Sequence, residues 1–325
     1  MNLVTGATGH IGNVLVRQLL ERGERVRALI LPGEDTTPIE GLEVEKVEGD
    51  VLDFPAVQAA LRGVDHVFHL AGLITIMPGY NPLLQLVNVV GTRNVLHAAR
   101  ASGVRRLVYT SSIHALSDVP HGTQIDEEVP FDPQQTLSEY GKSKAQASLE
   151  VKQAVEAGLD AVLACPTGVI GPYDFRHSEL GQIIHDCAEN KPQFYIDGAY
   201  DFVDVRDVAQ GLIAARDKGR SGETYILSGE LISVRGLLDS LWEITGRRFL
   251  RLKVPLAVAH FAAHFTPLYY RITHSRPRLT STSLVTLASN ANISHAKAQR
   301  ELGFAPRPIS EALADTVQWF QSQRK

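Results

Sequence analysis

Two residues four positions apart, Tyr140 and Lys144, have side chains that could carry out acid–base chemistry. On a helix, this spacing places both side chains on one face. A tyrosine hydroxyl has a reference pKa of about 10, and a nearby ammonium group favours its ionised form. Tyr140 could then exchange a proton with a substrate oxygen near neutral pH. Lys142 is a competing lysine, but at two residues from Tyr140 it would face away.

Hydroxyl side chains upstream of this pair suggest a third participant. Thr110, Ser111 and Ser112 close an apolar run that begins at Leu107 and has the composition of a buried strand. In open α/β sheets, ligands bind beyond the carboxyl ends of the strands. We therefore expect this group of hydroxyls to hold a substrate oxygen beside Tyr140.

Three glycines near the start of the chain, Gly6, Gly9 and Gly12, have the spacing G-x-x-G-x-x-G. They lie between an apolar run and an amphipathic stretch, where a strand would lead into a helix. The first glycine would allow the tight turn, the second a close approach of the backbone to a pyrophosphate, and the third close helix–strand packing. The helix N-terminus would attract the phosphates. The pattern predicts a dinucleotide site, and the alternative is a glycine turn that serves packing only.

Two later strand ends fit the same ligand. Asp50 and Val51 follow the third predicted strand, where an aspartate can bind the adenine edge. Leu70, Ala71 and Gly72 follow the fourth, where small residues would let the backbone approach the dinucleotide. The alternatives are that Asp50 caps the following helix and that Ala71 and Gly72 form a plain turn.

The residue after the second strand usually distinguishes NAD from NADP. An acid there binds the ribose 2′-hydroxyl, and a basic residue accepts a 2′-phosphate. Leu31 occupies this position and is neither, while Arg27 is directed away by strand alternation. The cofactor is therefore predicted as NADP or NAD, with NADP favoured because no acid repels the phosphate.

The elements that must position these residues alternate between strands and helices. Because the strands are near-continuously apolar, we predict a Rossmann-type doubly wound α/β fold with a parallel sheet covered on both faces. The predicted strands are Leu3–Thr5, Arg25–Leu31, Val44–Val47, Val64–Leu70, Leu107–Thr110 and Ala161–Cys165. The predicted helices are Ile11–Arg22, Phe54–Leu61, Pro82–Ala101 and Ser138–Ala157.

The alternation degrades after Pro166, which suggests a second, smaller unit. We predict a dinucleotide-binding domain over residues 1–168, to which residues 200–227 return. Residues 169–199 and 228–325 would form a C-terminal substrate-binding lobe. In it, two helical patterns flank Gly303–Pro306, between Asn292 and Phe320.

Composition excludes several classes of function. The net charge of −4 suggests neither nucleic acid nor an anionic membrane as partner. The two cysteines, Cys165 and Cys187, have no metal-ligand spacing and no disulfide framework, so we expect no metal and a cytoplasmic location. No apolar run approaches the length of a membrane span.

Taken together, the motifs resemble the extended short-chain dehydrogenases/reductases over essentially the whole chain. The segments that carry the resemblance are Thr5–Gly12, Asn88–Thr92, Tyr109–Ser112, Tyr140-x-x-x-Lys144, Pro166–Pro172 and Phe202–Ala209. The resemblance implies that Ser112 holds the substrate oxygen and that Tyr140 transfers the proton. It implies that Lys144 lowers the pKa of Tyr140 and binds the ribose, and that the protein is a homodimer.

The resemblance also completes the expected cofactor site, because Pro166 and Val169 would line the nicotinamide. The full set expected at the cofactor is Gly6, Thr8, Gly9, His10, Ile11, Gly12, Leu31, Asp50, Val51, Leu70, Ala71, Gly72, Thr110, Tyr140, Lys144, Pro166 and Val169.

Within this family, the chain is most similar to the dihydroflavonol 4-reductase-like and 3β-hydroxysteroid dehydrogenase-like branch. Sugar-nucleotide epimerases usually carry an asparagine after the sixth strand and an arginine before the Phe-Val-Asp-Val run, and both are missing here. We expect reduction of a hydrophobic ketone or aldehyde, or oxidation of the matching alcohol. The alternatives are an epimerase with tightly bound NAD and a non-catalytic dinucleotide sensor.

Four residues are candidates for substrate contact. Leu73 and Ile74 follow the fourth strand, His114 lies two residues past Ser112, and Tyr173 belongs to an apolar and aromatic set after Pro172. Such side chains suit an apolar small molecule. The alternative is that they pack within the protein, and His114 could equally be structural.

Overall fold

A seven-stranded parallel sheet forms the centre of the protein, as a computed structural model describes it for residues 1–77, 79–259, 261–263, 265 and 280–323. Its strands are β1 (Asn2–Thr5), β2 (Val26–Ile30), β3 (Glu45–Glu48), β4 (His66–His69), β5 (Arg106–Thr110), β6 (Ala161–Pro166) and β10 (Thr224–Leu227). Their order is β10-β6-β5-β4-β1-β2-β3. The order reverses between β1 and β4, which is where a doubly wound sheet opens a binding crevice. The predicted fold class is confirmed.

Helices cover both faces of this sheet. In chain order, the helices of the chain include α1 (His10–Glu21), α2 (Phe54–Ala60), α3 (Pro82–Leu84), α4 (Thr92–Ala101), α5 (Glu139–Glu156), α6 (Glu179–Ala188), α7 (Val205–Lys218) and α8 (Val234–Thr245), followed by Ser281–Leu287, Ala296–Leu302 and Ile309–Ser322. Leu3 and Val4 are neighbours on β1 but pack into separate cores. Successive side chains of a strand point to opposite faces of the sheet, and both faces of this sheet are buried. The two residues therefore enter different cores. One core includes α1 and α7, and the other includes α2, α4 and α5.

Between α3 and α4, the helix widens into π turns at Gln85–Gly91. The sequence pattern predicts one continuous helix over Pro82–Ala101, and the structure differs only in this insertion. Single π turns in α-helices frequently mark functional sites. Here the π segment carries Asn88, whose side chain donates to Ser143 on α5.

The second half of the chain adds two small sheets. Strands β7 (Gly168–Ile170), β9 (Ala199–Asp204) and β11 (Glu230–Ser233) form one, and β8 (Gln193–Tyr195) pairs with β12 (Arg251–Lys253) in the other. The segment from Phe202 to Arg216 does run from strand to helix. However, its strand joins β7 and β11 rather than the large sheet, because β7 and β9 pair in parallel right after β6. Helix α7 packs on α1, and β10 extends the large sheet beside β6.

A further apolar core lies in the predicted lobe. It joins α6, α8 and the helix Ile309–Ser322 through residues such as Ile184, Leu241 and Leu313. Gly303, with φ +75°, ends the preceding helix, so the two C-terminal helical patterns are confirmed. Parts of the predicted lobe, residues 260, 264, 266–279 and 324–325, lie outside the described residues. In the part of the chain that is described, no helix combines the length and apolarity needed to cross a bilayer.

Candidate active site

Two glycines of the loop after β1 leave no room for a Cβ atom. Gly6 has φ +69°, and a Cβ there would lie 2.8 Å from the backbone nitrogen of Ala71. A Cβ on Gly12 would lie 2.0 Å from the carbonyl oxygen of Gly6. The first position therefore needs glycine for its turn and for contact with the end of β4. The third needs glycine for packing of helix on loop.

The N-terminus of α1 is suited to phosphate. Gly9 caps the helix without a side-chain hydrogen bond, and the first turn carries no acidic residue. Ile11 lies in this turn, next to Gly12. The helix therefore presents backbone N–H groups and the positive end of its dipole at the close of a loop that excludes side chains. These features fit the pyrophosphate of a dinucleotide, which Gly6, Gly9 and the first turn of α1 would hold.

Two polar side chains in the first turn of α1 are tied to the second half of the chain. His10 Nε2 lies 3.0 Å from the carbonyl oxygen of Pro172. Asn13 Nδ2 donates to the carbonyl oxygen of Tyr173 at 3.1 Å. The ring of Tyr173 packs under the guanidinium of Arg17 at 4.5 Å and against Trp319. These contacts favour a structural role for Tyr173 beside α1.

The end of β2 holds an acid that the sequence reasoning missed. Leu31 is exposed, and its backbone N–H donates to Glu34 Oε2 at 3.1 Å. Thr8 donates its hydroxyl to Glu34 Oε1 at 2.7 Å, and Arg176 Nη2 lies 2.5 Å from the same oxygen. The position of Glu34 in the sequence, 22 residues after Gly12, could have identified this acid. An acid near that distance typically binds the ribose.

The predicted adenine-side residues lie at the ends of β3 and β4. Asp50 Oδ1 accepts from the backbone N–H of Leu52 at 2.9 Å, while Asp53, not Asp50, caps α2. Val51 is buried beside Gly91. A Cβ on Gly91 would lie 2.7 Å from Val51 Cγ2, so there is no room for a side chain at Gly91. The capping alternative for Asp50 is therefore wrong.

The turn after β4 is held by hydrogen bonds to side chains. The backbone N–H groups of Leu70 and Ala71 donate to Thr5 Oγ1 at 3.2 and 3.1 Å. A Cβ on Gly72 would lie 3.1 Å from Asn88 Oδ1. The same oxygen accepts from the backbone N–H of Leu73 at 2.7 Å. The backbone of this turn is thereby fixed beside the glycine loop.

A buried polar chain supports this corner of the sheet, and the sequence reasoning missed it. His69 Nδ1 lies 2.8 Å from Thr5 Oγ1, and its Nε2 lies 2.9 Å from Thr92 Oγ1. Thr92 donates its hydroxyl to the carbonyl oxygen of Asn88 at 2.7 Å. Burial, with a smaller contribution from Lys144, lowers the pKa of His69 to about 3. A neutral imidazole therefore links β1, β4 and α4.

Close packing of a helix on a turn brings Tyr140 to Ser112. Ser138 caps α5 by accepting from the backbone N–H of Gly141 at 3.0 Å. A Cβ on Gly141 would lie 2.4 Å from the carbonyl oxygen of His114. The first turn of α5 therefore rests on the short turn that follows Ser112.

The hydroxyl groups of Tyr140 and Ser112 interact at the cleft. Burial raises the pKa of Tyr140 to about 12, and the neighbouring Ser112 hydroxyl opposes this rise. Ser112 itself is buried, and its Oγ accepts from the backbone N–H of His114 at 3.2 Å. The pair places a proton donor and a second hydroxyl at one point of the cleft.

Lys144 lies one turn further along α5 and is 5% exposed. Its Nζ donates to the carbonyl oxygen of Thr110 at 2.6 Å and lies 4.4 Å from the centre of the Tyr109 ring. Burial lowers the pKa of Lys144 to about 7. Thr110 Oγ1 is buried without a partner. The ammonium thus faces the end of β5, and an effect of Lys144 on the pKa of Tyr140 stays a prediction.

Asn88 connects α5 to the turn after β4. Its Nδ2 donates to Ser143 Oγ at 2.9 Å and to the carbonyl oxygen of Leu73 at 3.0 Å. Ser143 in turn donates to the carbonyl oxygen of Tyr140 at 2.8 Å. The motif Asn88–Thr92 was part of the resemblance, but nothing in its residue types indicated this role.

His114 lies beside Tyr140, with its ring edge-on to the tyrosine ring at 6.3 Å between centroids. Its Nε2 lies 2.7 Å from the hydroxyl of Tyr200, a residue that the sequence reasoning did not assign to the site. Burial lowers the pKa of His114 to about 4, so the ring is neutral near pH 7. Of the other substrate candidates, Leu73 is half-buried and Ile74 is 77% exposed.

The two residues expected at the nicotinamide lie where the large and the small sheet meet. Pro166 ends β6 and is buried, and Val169 lies in β7, half-buried against the core around α1. The hydroxyl of Thr167, between them, donates to Asp201 at 2.6 Å.

The chain shares its sequence pattern with known proteins. The model of the NAD dependent epimerase/dehydratase family matches residues 2–228. "Sterol demethylase protein B" of Methylococcus capsulatus is 38% identical over 99% of this chain and 98% of that protein. "Putative dihydroflavonol 4-reductase" of Synechocystis is 33% identical over 98% of this chain and 94% of that protein. The crystal structure of gox2253 aligns with a TM-score of 0.85 at 34% identity, covering 99% of this chain and 98% of that one.

These likenesses extend over the sheet, the glycine loop and the second half of the chain. The family model covers well over half of the residues, and the two relatives align along almost their full lengths. The protein is therefore an enzyme of the NAD dependent epimerase/dehydratase family, the extended short-chain dehydrogenases/reductases.

Proposed function

We propose that the protein is an NAD(P)-dependent oxidoreductase that reduces a hydrophobic ketone or aldehyde, or oxidises the matching alcohol. The observation that carries the proposal is that Ser112, Tyr140 and Lys144 come together at the end of β5: the turn after Ser112 packs on the first turn of α5, and Lys144 Nζ donates to the carbonyl oxygen of Thr110. The arrangement has the residue types and spacing of a proton-transfer centre. The residues set out above around the glycine loop would hold the cofactor.

The surroundings of Tyr140 support an uncharged substrate. His114 and Tyr200 hydrogen-bond to each other, and the imidazole is neutral because burial lowers the pKa of His114. Where sugar-nucleotide enzymes carry groups for a diphosphate, this chain has Thr167 bonded to the buried Asp201. Neither residue supplies a positive charge for a diphosphate, and a pocket with few polar anchors suits a hydrophobic molecule.

The names of the two relatives support the same class of substrate. One is named for a sterol and the other for a dihydroflavonol, and both words denote apolar ring systems. We further propose that residues 1–168 and 200–227 carry the cofactor and that residues 169–199 and 228–325 complete the substrate pocket.

In this proposal, Ser112 and Tyr140 act on the substrate oxygen, and Lys144 acts on Tyr140. Ser112 donates a hydrogen bond that orients the carbonyl, and Tyr140 delivers its phenolic proton to the oxygen as charge develops there. Lys144 helps restore that proton and, when its ammonium is charged, stabilises the phenolate. The bound nicotinamide would supply the hydride to the carbonyl carbon. In the oxidative direction, Tyr140 takes the proton from the alcohol.

The variant Tyr140→Phe tests the proposal, because it removes only the hydroxyl. We expect turnover to fall by roughly 10²- to 10⁴-fold, the usual contribution of a general acid, with binding of the reduced cofactor nearly unchanged. Hydrophobic ketones and aldehydes would first be screened with NADH and NADPH. The variant Tyr80→Phe, at a tyrosine that is 72% exposed, is the control and should keep full turnover. Equal turnover in Tyr140→Phe and wild type would overturn the mechanism.

Epimerases belong to the same family, and the cofactor itself distinguishes the two reactions. An epimerase returns the hydride to its substrate and would retain a stoichiometric dinucleotide that does not exchange. The proposed reductase should release its cofactor on dialysis and oxidise added NADH or NADPH with net product formation.

A further inference from the structure

An ionised cluster lies at the edge of the glycine loop, beside the end of β2. It consists of Glu34, Thr8 of the loop and Arg176 of the segment before α6. Nothing in the acid–base chemistry of Tyr140 uses these three residues. Their position is the one at which this fold recognises the ribose next to adenine.

A tight turn delivers Glu34 to that position. Pro32 and Gly33 are its central residues, Gly33 has φ +77°, and the backbone N–H of Glu34 donates to the carbonyl oxygen of Leu31 at 2.9 Å. Proline followed by a glycine of positive φ is typical of a type II turn. The turn folds the Glu34 carboxylate back onto the N–H of Leu31, at 3.1 Å. An acid four residues beyond β2 thereby reaches the strand end.

The hydrogen bonds of the cluster keep this carboxylate ionised and hold it against the glycine loop. Thr8 donates its hydroxyl to Glu34 Oε1 at 2.7 Å and accepts from Arg176 Nη2 at 2.8 Å. Partial burial raises the pKa of Glu34, but the hydrogen bonds from Thr8, Arg176 and Leu31 outweigh it and lower the pKa overall. The carboxylate is therefore ionised at neutral pH, with its side chain 20% exposed toward solvent.

We propose that Glu34, held by Thr8 and Arg176, selects NAD over NADP in this enzyme. The carboxylate would accept hydrogen bonds from the hydroxyls of the adenine ribose, and it would repel a 2′-phosphate at the same place. The inference rests on the proposed cofactor site at the glycine loop, and it reverses the preference for NADP drawn from Leu31 alone.

Arg176 is a positioning residue in this proposal. Its Nη2 lies 2.5 Å from Glu34 Oε1, so the guanidinium compensates the carboxylate rather than offering an isolated positive site. A 2′-phosphate that approached Arg176 would also approach Glu34. The opposite assignment, in which Arg176 is a phosphate clamp, makes different predictions for the two variants below.

Direct titration of NADH and NADPH, followed by cofactor fluorescence, tests the proposal without any substrate. We expect wild type to bind NADH more tightly than NADPH. In Glu34→Gln, the ratio of the NADPH to the NADH dissociation constant should fall by roughly tenfold or more, since a repelling charge and a charged acceptor are both removed. Asp35→Asn is the matched control, because it removes an equal charge from the adjacent residue, which bonds to Thr37 instead. It should leave the ratio unchanged.

Arg176→Gln separates the two assignments. In the proposal, the variant should keep or increase the preference for NADH, because Thr8 and the N–H of Leu31 still hold Glu34 while its charge is no longer compensated. If Arg176 is a phosphate clamp, wild type should prefer NADPH and the variant should lose that preference, which would overturn the proposal. A ratio that does not change in Glu34→Gln would overturn it as well. Failure of wild type to bind either dinucleotide would instead contradict the proposed function.

Discussion

At the scale of single residues, burial decides the charge of the groups around Tyr140. Burial raises the pKa of Tyr140 to about 12 and lowers that of Lys144 to about 7. Both shifts favour the neutral form, because a desolvated charge is costly. The buried imidazoles of His69 and His114 are neutral for the same reason. The site is therefore a low-charge pocket whose groups can pass a proton without strong fixed charges.

His69 makes stability depend on pH at this scale. The Thr5 hydroxyl already accepts two backbone N–H groups, so we assign its proton to His69 Nδ1 and the imidazole proton to Nε2. Because the folded pKa of about 3 lies below the ordinary value of about 6.5, the unfolded chain takes up a proton that the folded chain does not. Stability from this group is complete above pH 6.5 and is lost as the pH falls toward 3.

Urea unfolding at pH 7 and pH 5 measures this effect. We expect His69 to account for about 2 kcal/mol of the loss in unfolding free energy between these values. The variant His69→Gln should be less stable at pH 7 but lose less on acidification. His121→Gln, at an exposed histidine, should follow wild type. An identical loss in His69→Gln and wild type would refute the assignment.

At the scale of elements, the approach of Tyr140 to Ser112 depends on how α5 begins. Ser138 caps the helix, and Gly141 lets its first turn touch the turn after Ser112. Ser143 and Asn88 then tie α5 to the π segment and to Leu73. Small residues at a helix contact allow close approach, so the spacing of Ser112 from Tyr140 is set by backbone packing rather than by side-chain length.

Gly141→Ala tests this dependence. A Cβ would lie 2.4 Å from a backbone oxygen, so α5 must shift, and proton transfer should suffer because small misplacements are costly in catalysis. We expect turnover to fall by roughly 10²-fold, while the dinucleotide still binds. Gly236→Ala is the matched control, because Gly236 follows the capping Ser233 of α8 just as Gly141 follows Ser138. Its Cβ would meet only side-chain atoms, Ser233 Oγ at 3.1 Å and Ile232 Cγ1 at 3.3 Å, and the control should behave as wild type. Full turnover in Gly141→Ala would show that the contact is dispensable.

At the scale of the whole molecule, two adjacent helical segments expose apolar side chains. Leu83 and Leu86 lie at the start of the helix that continues into α4, and Leu149 lies on α5, which packs beside α4. Exposed apolar residues on neighbouring helices commonly mark protein interfaces. We propose that a second copy of the chain covers them, as the homodimer expected from the sequence would require.

Light scattering after gel filtration tests the dimer. Wild type should have twice the chain mass, and the double variant Leu86→Glu, Leu149→Glu should run as a monomer, because two buried carboxylates would oppose association. Leu231→Glu, at an exposed leucine of β11, is the control and should stay dimeric. A monomeric wild type at micromolar concentration would contradict the proposal.

Much of this protein follows from the sequence alone, because local patterns carry the information. The glycine spacing, the apolar strands and the i, i+4 pair of Tyr140 and Lys144 are short-range features, and they indicated the parallel sheet, the phosphate loop and the family. The π segment and the pairing of β9 with β7 and β11 did not follow, since both depend on distant partners.

Only the tertiary structure decided which polar groups are in contact and which ionisable side chains are charged. Glu34 and Arg176 are separated by 142 positions, and His114 and Tyr200 by 86, yet each pair is in hydrogen-bonding contact. Sequence spacing cannot report such contacts, because loop closure brings the residues together regardless of their distance along the chain. Desolvation likewise exists only in the folded state, so the pKa values of Tyr140 and Lys144 could not be derived from their residue types.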